Sequence, residues 1–413
     1  MTAPTECPDL AIPDLYRRHL SKGRASLSDL TGGALELSSH AAHVFGADGR
    51  RFLDCGGYGV FLVGHTHPVV VEAVVAQARS HPMSTRLLLE PTAALAAAAL
   101  AAVTPAGLDR VHFVNSGAEA TEAALKLARV HGKRRLVSAE GGFHGKTMGA
   151  LSLTAKEFYQ EPFRPLLPDV THVPYGDVSA LDGTVDADTC LFLEPVQGEG
   201  GVVVPPDGYL TAAQRLCRER GAFLVLDEIQ TGLGRLGTWW GADREAVSPD
   251  VLLVGKGLSG GVVPVAAMVA TDAAYEPFSR DPFLHTSTFA ASPIAMAAAR
   301  SAVETIRAEG MVDRAAALGR TLLDGLARIV ADRCPGLVAQ IRGAGLLIGV
   351  ECKDEHTAGA FVMELHDRGV LVNHSLNAHK VIRFTPPAVL TRSDVDWLLT
   401  AFDDAATTLE GTL

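Results

Sequence analysis

The middle of the chain carries a series of short apolar runs: RVHFV (110–114), RRLVSA (134–139), TCLFLE (189–194), FLVLDE (223–228) and DVLLVG (250–255). None shows regular polar alternation. A strand with one wet face alternates, whereas a strand covered on both faces reads as a near-continuous leucine- and β-branched-rich run. Helical spacing intervenes. One helix is predicted from about Glu119, another from near Asp207 after Pro205 and Pro206. Strand–helix alternation predicts an α/β fold with an open, mostly parallel sheet flanked by helices. VPVAAMVAT (263–271) follows the fifth run too soon for a helical crossover and is expected as an antiparallel member.

The two ends read differently. Amphipathic helices over 311–331 and 357–369, with short strands such as LLIGVE (346–351), predict a smaller α+β unit. We expect a large domain over 55–299 and a second domain built from 1–54 and 300–413. AALAAAALAAV (93–103) is too short for the roughly 20 residues a bilayer needs, and is expected as a packed helix.

The chain of 413 residues is 47% apolar and 20% charged, enough for a large core and against long disorder. Its net charge of −11 argues against binding nucleic acid or an anionic membrane. Cys7, Cys55, Cys190, Cys217, Cys334 and Cys352 form no C-x-x-C pair, so neither a disulfide framework nor a metal site is expected. The N-terminus lacks the basic start and apolar core of a signal peptide. Together these point to a cytoplasmic protein.

Ligands of α/β sheets sit beyond the carboxyl ends of the strands. After the first run come Ser116, Gly117 and Ala118 at a helix start. That arrangement suits a phosphate, although Ser116 alone reads as an ordinary N-cap. After the second, Phe143 stands between glycines and can lie flat on a planar ring, or can simply cover the core. His144 beside it reads as a packed or loop histidine with no role in proton transfer. Glu194 and Glu199 follow the third run, Asp227 and Gln230 the fourth, Lys256 the fifth. Each acid alone reads as a cap or loop charge, and a lone lysine as a surface residue. Gathered at one sheet edge, a phosphate cup, an aromatic plate, carboxylates and a single amine suit pyridoxal 5′-phosphate.

The segments NSGAEATEAALKLAR, FHGKTMGALS, EPVQGEGG, LVLDEIQTGLGRLG, PDVLLVGKGLSGG and HTSTFAASP resemble the class III (ornithine/ω-amino acid) aminotransferases. DCGGYGVFLVGH, SLTAKEFYQEPFRPLLP and LVNHSLNAHKVIRFTPP resemble the putrescine (diamine) members. The resemblance runs from about Phe52 to Pro387. It implies fold type I of the pyridoxal-phosphate enzymes and a transaminase that moves an ω-amino group from a diamine or ω-amino acid to 2-oxoglutarate. It also implies roles. Lys256 would form the internal aldimine and Asp227 would partner the pyridine nitrogen. Gln230 would contact the ring hydroxyl and Phe143 would stack on the ring. Ser116, Gly117 and Ala118 would cup the phosphate. Thr288 would reach the phosphate of the neighbouring subunit's cofactor, which implies a homodimer with shared sites. Glu199 and Arg383 would form a carboxylate–guanidinium pair that opens for the α-carboxylate of glutamate.

The physics agrees with these roles. A carboxylate beside the pyridine nitrogen keeps it protonated, and a freed lysine amine can shuttle a proton. Arginine's planar fork suits either carboxylate partner. Two departures stand out. Lys146 replaces an arginine that in many relatives holds the distal carboxylate. Ala290-Ala291-Ser292 replaces Gly-Gly-Asn after the Thr288 segment. Competing readings are an ornithine, acetylornithine or secondary-metabolite aminotransferase, an aminomutase, racemase or decarboxylase on the same scaffold, and a binding protein without catalysis.

Overall fold

The computed structural model describes residues 12–412. Cys7 and most of the stretch weighed as a signal peptide lie outside the described residues. Seven strands form the large sheet: β1 Leu108–Val114, β2 Arg135–Ala139, β3 Val170–Val173, β4 Thr189–Leu193, β5 Phe223–Asp227, β6 Val251–Val254 and β7 Ala266–Thr271. Their order is β1-β7-β6-β5-β4-β2-β3. Strand β7 pairs antiparallel with both neighbours, Ala267 facing Phe113 on one side and Val254 on the other, as its short connection requires. The remaining pairs are parallel.

The sheet is apolar on both faces, which explains the missing alternation. Leu191 and Leu193 of β4 enter one core, while Cys190 and Phe192 point into the other. The second core is closed by helix α1, Gly117–Val130, through Ala120, Ala123, Ala124 and Leu127. Each buried leucine or valine contributes about 1.5–3 kcal/mol relative to exposure. Strand β3 was not among the predicted runs. It is an edge strand with Thr171 exposed and His172 only partly covered, so its apolar content is low.

The layout has two domains. The N-terminal strands Glu36–His40, His43–Gly46 and Arg51–Asp54 share a sheet with Val370–Leu371, which runs parallel to Arg51–Asp54. A third sheet holds Val338–Ala344, Leu347–Cys352, Ala378–Phe384 and Asn373–Ser375. Helix Pro293–Ala308 runs across the expected 299/300 boundary, and its Ala298 and Ala302 pack on Val70 and Val74. The alanine-rich segment forms helix Pro91–Ala101, which buries Ala96 and Leu100. Among the described residues no helix is long and apolar enough to cross a membrane.

Candidate active site

Parallel strands point their carboxyl ends the same way, so the loops after β1, β2, β4, β5 and β6 converge. They enclose a cavity of about 390 Å3, lined by Gly117, Ala118, Phe143, Lys146, Glu194, Glu199, Asp227, Gln230 and Lys256 among others. A cleft of about 330 Å3 adjoins it, lined by Ser116, Ser259 and Gly261 and sharing Gly117 and Lys256.

Helix α1 begins here. Ser116 Oγ accepts from the Glu119 N–H at 3.3 Å, and Glu119 returns a carboxylate to the Asn115 N–H at 2.6 Å. Ser116 is therefore the expected N-cap. The N–H groups of Gly117 and Ala118 have no partner among the described residues. Two free donors at the positive end of a 14-residue helix are a fitting cup for a phosphate. A Cβ at Gly117 would lie 2.8 Å from Ile229 Cδ1, so a side chain there would displace Ile229 from the cavity wall. On this geometry the site fits pyridoxal phosphate: an anion cup, an aromatic wall at Phe143, a buried carboxylate and an amine share one cavity.

Asp227 ends β5 and is 4% exposed. Its Oδ1 accepts from the Ile229 N–H at 3.1 Å, and its Oδ2 lies 2.8 Å from His144 Nδ1. His144 is the packed histidine of the two readings, and its partner is the carboxylate at the centre of the site. Burial lowers its pKa, but the hydrogen bond and charge of Asp227, with Glu194 behind, outweigh that and raise it. No sequence signal separates such a histidine from one in a loop.

Glu194, one of the carboxylates expected at this edge but given no role there, is buried as well. Its carboxylate accepts from the N–H of Phe143 at 3.0 Å and of Gly198 at 3.2 Å, tying the aromatic wall to the next loop. Burial pushes it up to about 7, with His144 opposing and Asp227 adding to the rise.

Lys256 begins a short turn after β6 with φ 43°, a left-handed backbone that costs a non-glycine residue free energy and is found at functional sites. Burial lowers its pKa. Glu199 opposes, Arg383 adds to the fall, and Asp227 and Glu194 oppose.

Arg383, on strand Ala378–Phe384, pairs through Nη1 with Glu199 Oε1; both are buried. Glu199 Oε2 accepts from the Leu376 N–H at 2.9 Å. Gln230 stands beside the pair, accepting from Arg383 Nη1 at 3.3 Å and donating to Glu199 at 3.4 Å. A Cβ at Gly198 would sit 1.9 Å from Gln230 Oε1, so a side chain there would push Gln230 from the pair. Arg383 Nε and Nη2 are buried without a protein partner among the described residues. Lys146 lines the cavity and is exposed. Thr288 does not reach the cavity of its own chain: it is exposed on the loop before helix Pro293–Ala308.

With this fold and site in view, comparison with known proteins defines the class. The model of the family "Aminotransferase class-III" matches residues 37–406, and the chain belongs to that family. It is a pyridoxal-phosphate-dependent transaminase of fold type I. The putrescine aminotransferase of Pectobacterium atrosepticum is 42% identical over 394 residues, 92% of this chain and 84% of the relative. The ornithine aminotransferase of Toxoplasma gondii superposes with TM-score 0.87 at 33% identity, covering 92% of each chain. An (S)-enantioselective ω-transaminase of Thermomicrobium roseum gives TM-score 0.89 at 28% identity over 98% of this chain and 99% of its own.

Proposed function

We propose that this site moves an ω-amino group from a diamine of the putrescine type, or from an ω-amino acid, to 2-oxoglutarate. The observation that carries the reading is the buried Glu199–Arg383 pair beside Lys256, with two guanidinium nitrogens left over. Likeness to a putrescine aminotransferase supports the donor class.

Pyridoxal phosphate, when bound, supplies a carbonyl that condenses with amines and a ring that withdraws electrons. Lys256 would hold it at the carbonyl, Ser116, Gly117 and Ala118 at the phosphate, and Phe143 along the ring. Asp227 would meet the ring nitrogen and Gln230 the ring hydroxyl. The lowered pKa of Lys256 keeps more of its amine neutral, the form that attacks a carbonyl or accepts a proton from a substrate carbon. Protonated His144 would hold Asp227 anionic and oriented.

Arg383 handles the two substrate types. Paired with Glu199, its charge is covered, and an amine without an α-carboxylate meets no bare cation. An incoming α-carboxylate offers the same planar fork a bidentate partner and satisfies Nη2 or Nε, releasing Glu199.

A second copy of the chain completes the proposal. Leu87, Leu88, Leu89, Phe283 and Phe289 are 90, 80, 103, 85 and 63% exposed. Arg86 donates to the Ala290 carbonyl and holds the two segments together. Apolar surface of this extent marks an interface, and exposed Thr288 lies within it, where it can reach the partner's phosphate cup. The five described cysteines are free and buried, which fits a cytoplasmic setting.

The test is a panel of amino donors with 2-oxoglutarate, read out as glutamate. Diamines are expected to lead. Turnover of an amino acid without glutamate formation, by racemisation or decarboxylation, would reject the reading, and ornithine outrunning every diamine would reassign the donor.

A further inference from the structure

Lys146 Nζ sits 3.7 Å from the centroid of the Tyr159 ring and 5.9 Å from that of Phe143. Among the described residues Lys146 makes no ion pair and no hydrogen bond, so the aromatic face is its partner. Tyr159 is fixed in place. Its hydroxyl donates to the Leu376 carbonyl at 3.3 Å, in the turn whose Leu376 N–H holds Glu199. Leu376 thus ties the Tyr159 ring to the Glu199 carboxylate, and the ring face meets the cavity through Lys146, which with Glu199 lines it. The chain has put an ammonium of its own there.

We propose that the Tyr159 ring face is the subsite for the distal ammonium of a linear α,ω-diamine, and that Lys146 fills it until the donor arrives. Tyr159 is then a specificity-determining residue for the donor; the inference rests on the diamine reading above. The physical reasons are three. An aromatic face attracts an ammonium without requiring a particular hydrogen-bond direction. Two ammoniums cannot share one face, so a diamine must displace Lys146. The lysine is exposed, and its flexible stem carries the charge into water at little cost. An arginine would stack on the ring more persistently, which gives a reason for lysine here.

The experiment uses the holoenzyme and N,N,N′,N′-tetramethyl-1,4-diaminobutane, a dication whose tertiary amines cannot condense with a carbonyl. Its affinity is measured by titration calorimetry, alongside KM for 1,4-diaminobutane and for 2-oxoglutarate. Tyr159→Leu is expected to weaken the dication about tenfold and to raise the ratio of diamine KM to 2-oxoglutarate KM by a similar factor. Tyr159→Phe keeps the face and should bind within about twofold of the unaltered enzyme. Lys146→Met removes the competitor and should tighten the dication, which keeps the inference testable if the leucine variant fails to fold. Equal affinity in Tyr159→Leu and the unaltered enzyme, or a KM ratio that does not move, overturns the subsite and leaves the diamine reading standing. Failure of the unaltered enzyme to bind the dication or turn over any diamine overturns both.

Discussion

Arg383 and Glu199 form an ion pair inside the protein, the arginine 0% and the glutamate 4% exposed. A buried pair of this kind is a poor source of stability, because desolvation offsets most of its attraction. Here it is also incompletely satisfied, with Nε and Nη2 of Arg383 lacking protein partners among the described residues. Guanidinium donors left over beside a cavity that holds Lys256 are what a carboxylate substrate would find useful.

Lys256 is the amine on which the proposed chemistry depends. Lys256→Ala should lower turnover on the order of a thousandfold or more, since it removes both the attachment point and the proton carrier. Steady-state assays and the visible absorbance of the bound cofactor report the two losses separately. Normal turnover in this variant would end the proposal.

Thr288 belongs to the shared-site part of the account. Thr288→Ala should weaken cofactor retention by about 1.5–3 kcal/mol, the worth of a hydrogen bond to a charged group. Dialysis against buffer followed by cofactor quantitation measures it. Sedimentation of the unaltered protein should show a dimer; a fully active monomer would contradict the shared site.

His144 predicts a pH dependence of stability. Its pKa in the folded protein is raised above the ordinary 6.5 through Asp227. The folded state therefore holds a proton that the unfolded state has lost between those two values, and stability falls as pH rises through that window. The stabilisation is full below 6.5 and gone above the raised value. Melting temperatures of the unaltered protein and of His144→Asn, followed upward from pH 6, should converge as pH rises. A constant difference between them would show that His144 does not titrate there.

Much of this was legible in the sequence because parallel strands do two things at once. Buried on both faces, β4 and β6 announce themselves as TCLFL and VLLV. Their common direction then brings Glu199, Asp227 and Lys256 to one edge. Arg383 was reached only through the resemblance, since nothing local in VIRF indicates that its side chain meets Glu199. His144 and Glu194 took no definite role from the sequence for a different reason. Their partners, Asp227 for one and the Phe143 and Gly198 N–H groups for the other, are made by tertiary packing. Tyr159 and Leu376 touch across 217 residues of chain, a contact that no spacing rule reaches.

The central claim is that one site serves two substrate classes by opening and closing the Glu199–Arg383 pair. The most direct measurement is the single-turnover rate of each half-reaction, diamine and 2-oxoglutarate separately, in Glu199→Ala and Arg383→Ala, followed by cofactor absorbance. Arg383→Ala should slow the 2-oxoglutarate half on the order of a hundredfold, by loss of a charge-assisted bidentate partner, and affect the diamine half far less. Glu199→Ala should do the reverse, leaving a bare guanidinium that penalises the diamine. Equal slowing of both halves by Glu199→Ala, or an intact 2-oxoglutarate half in Arg383→Ala, would contradict the account and turn attention to Lys146 as the acceptor's anchor.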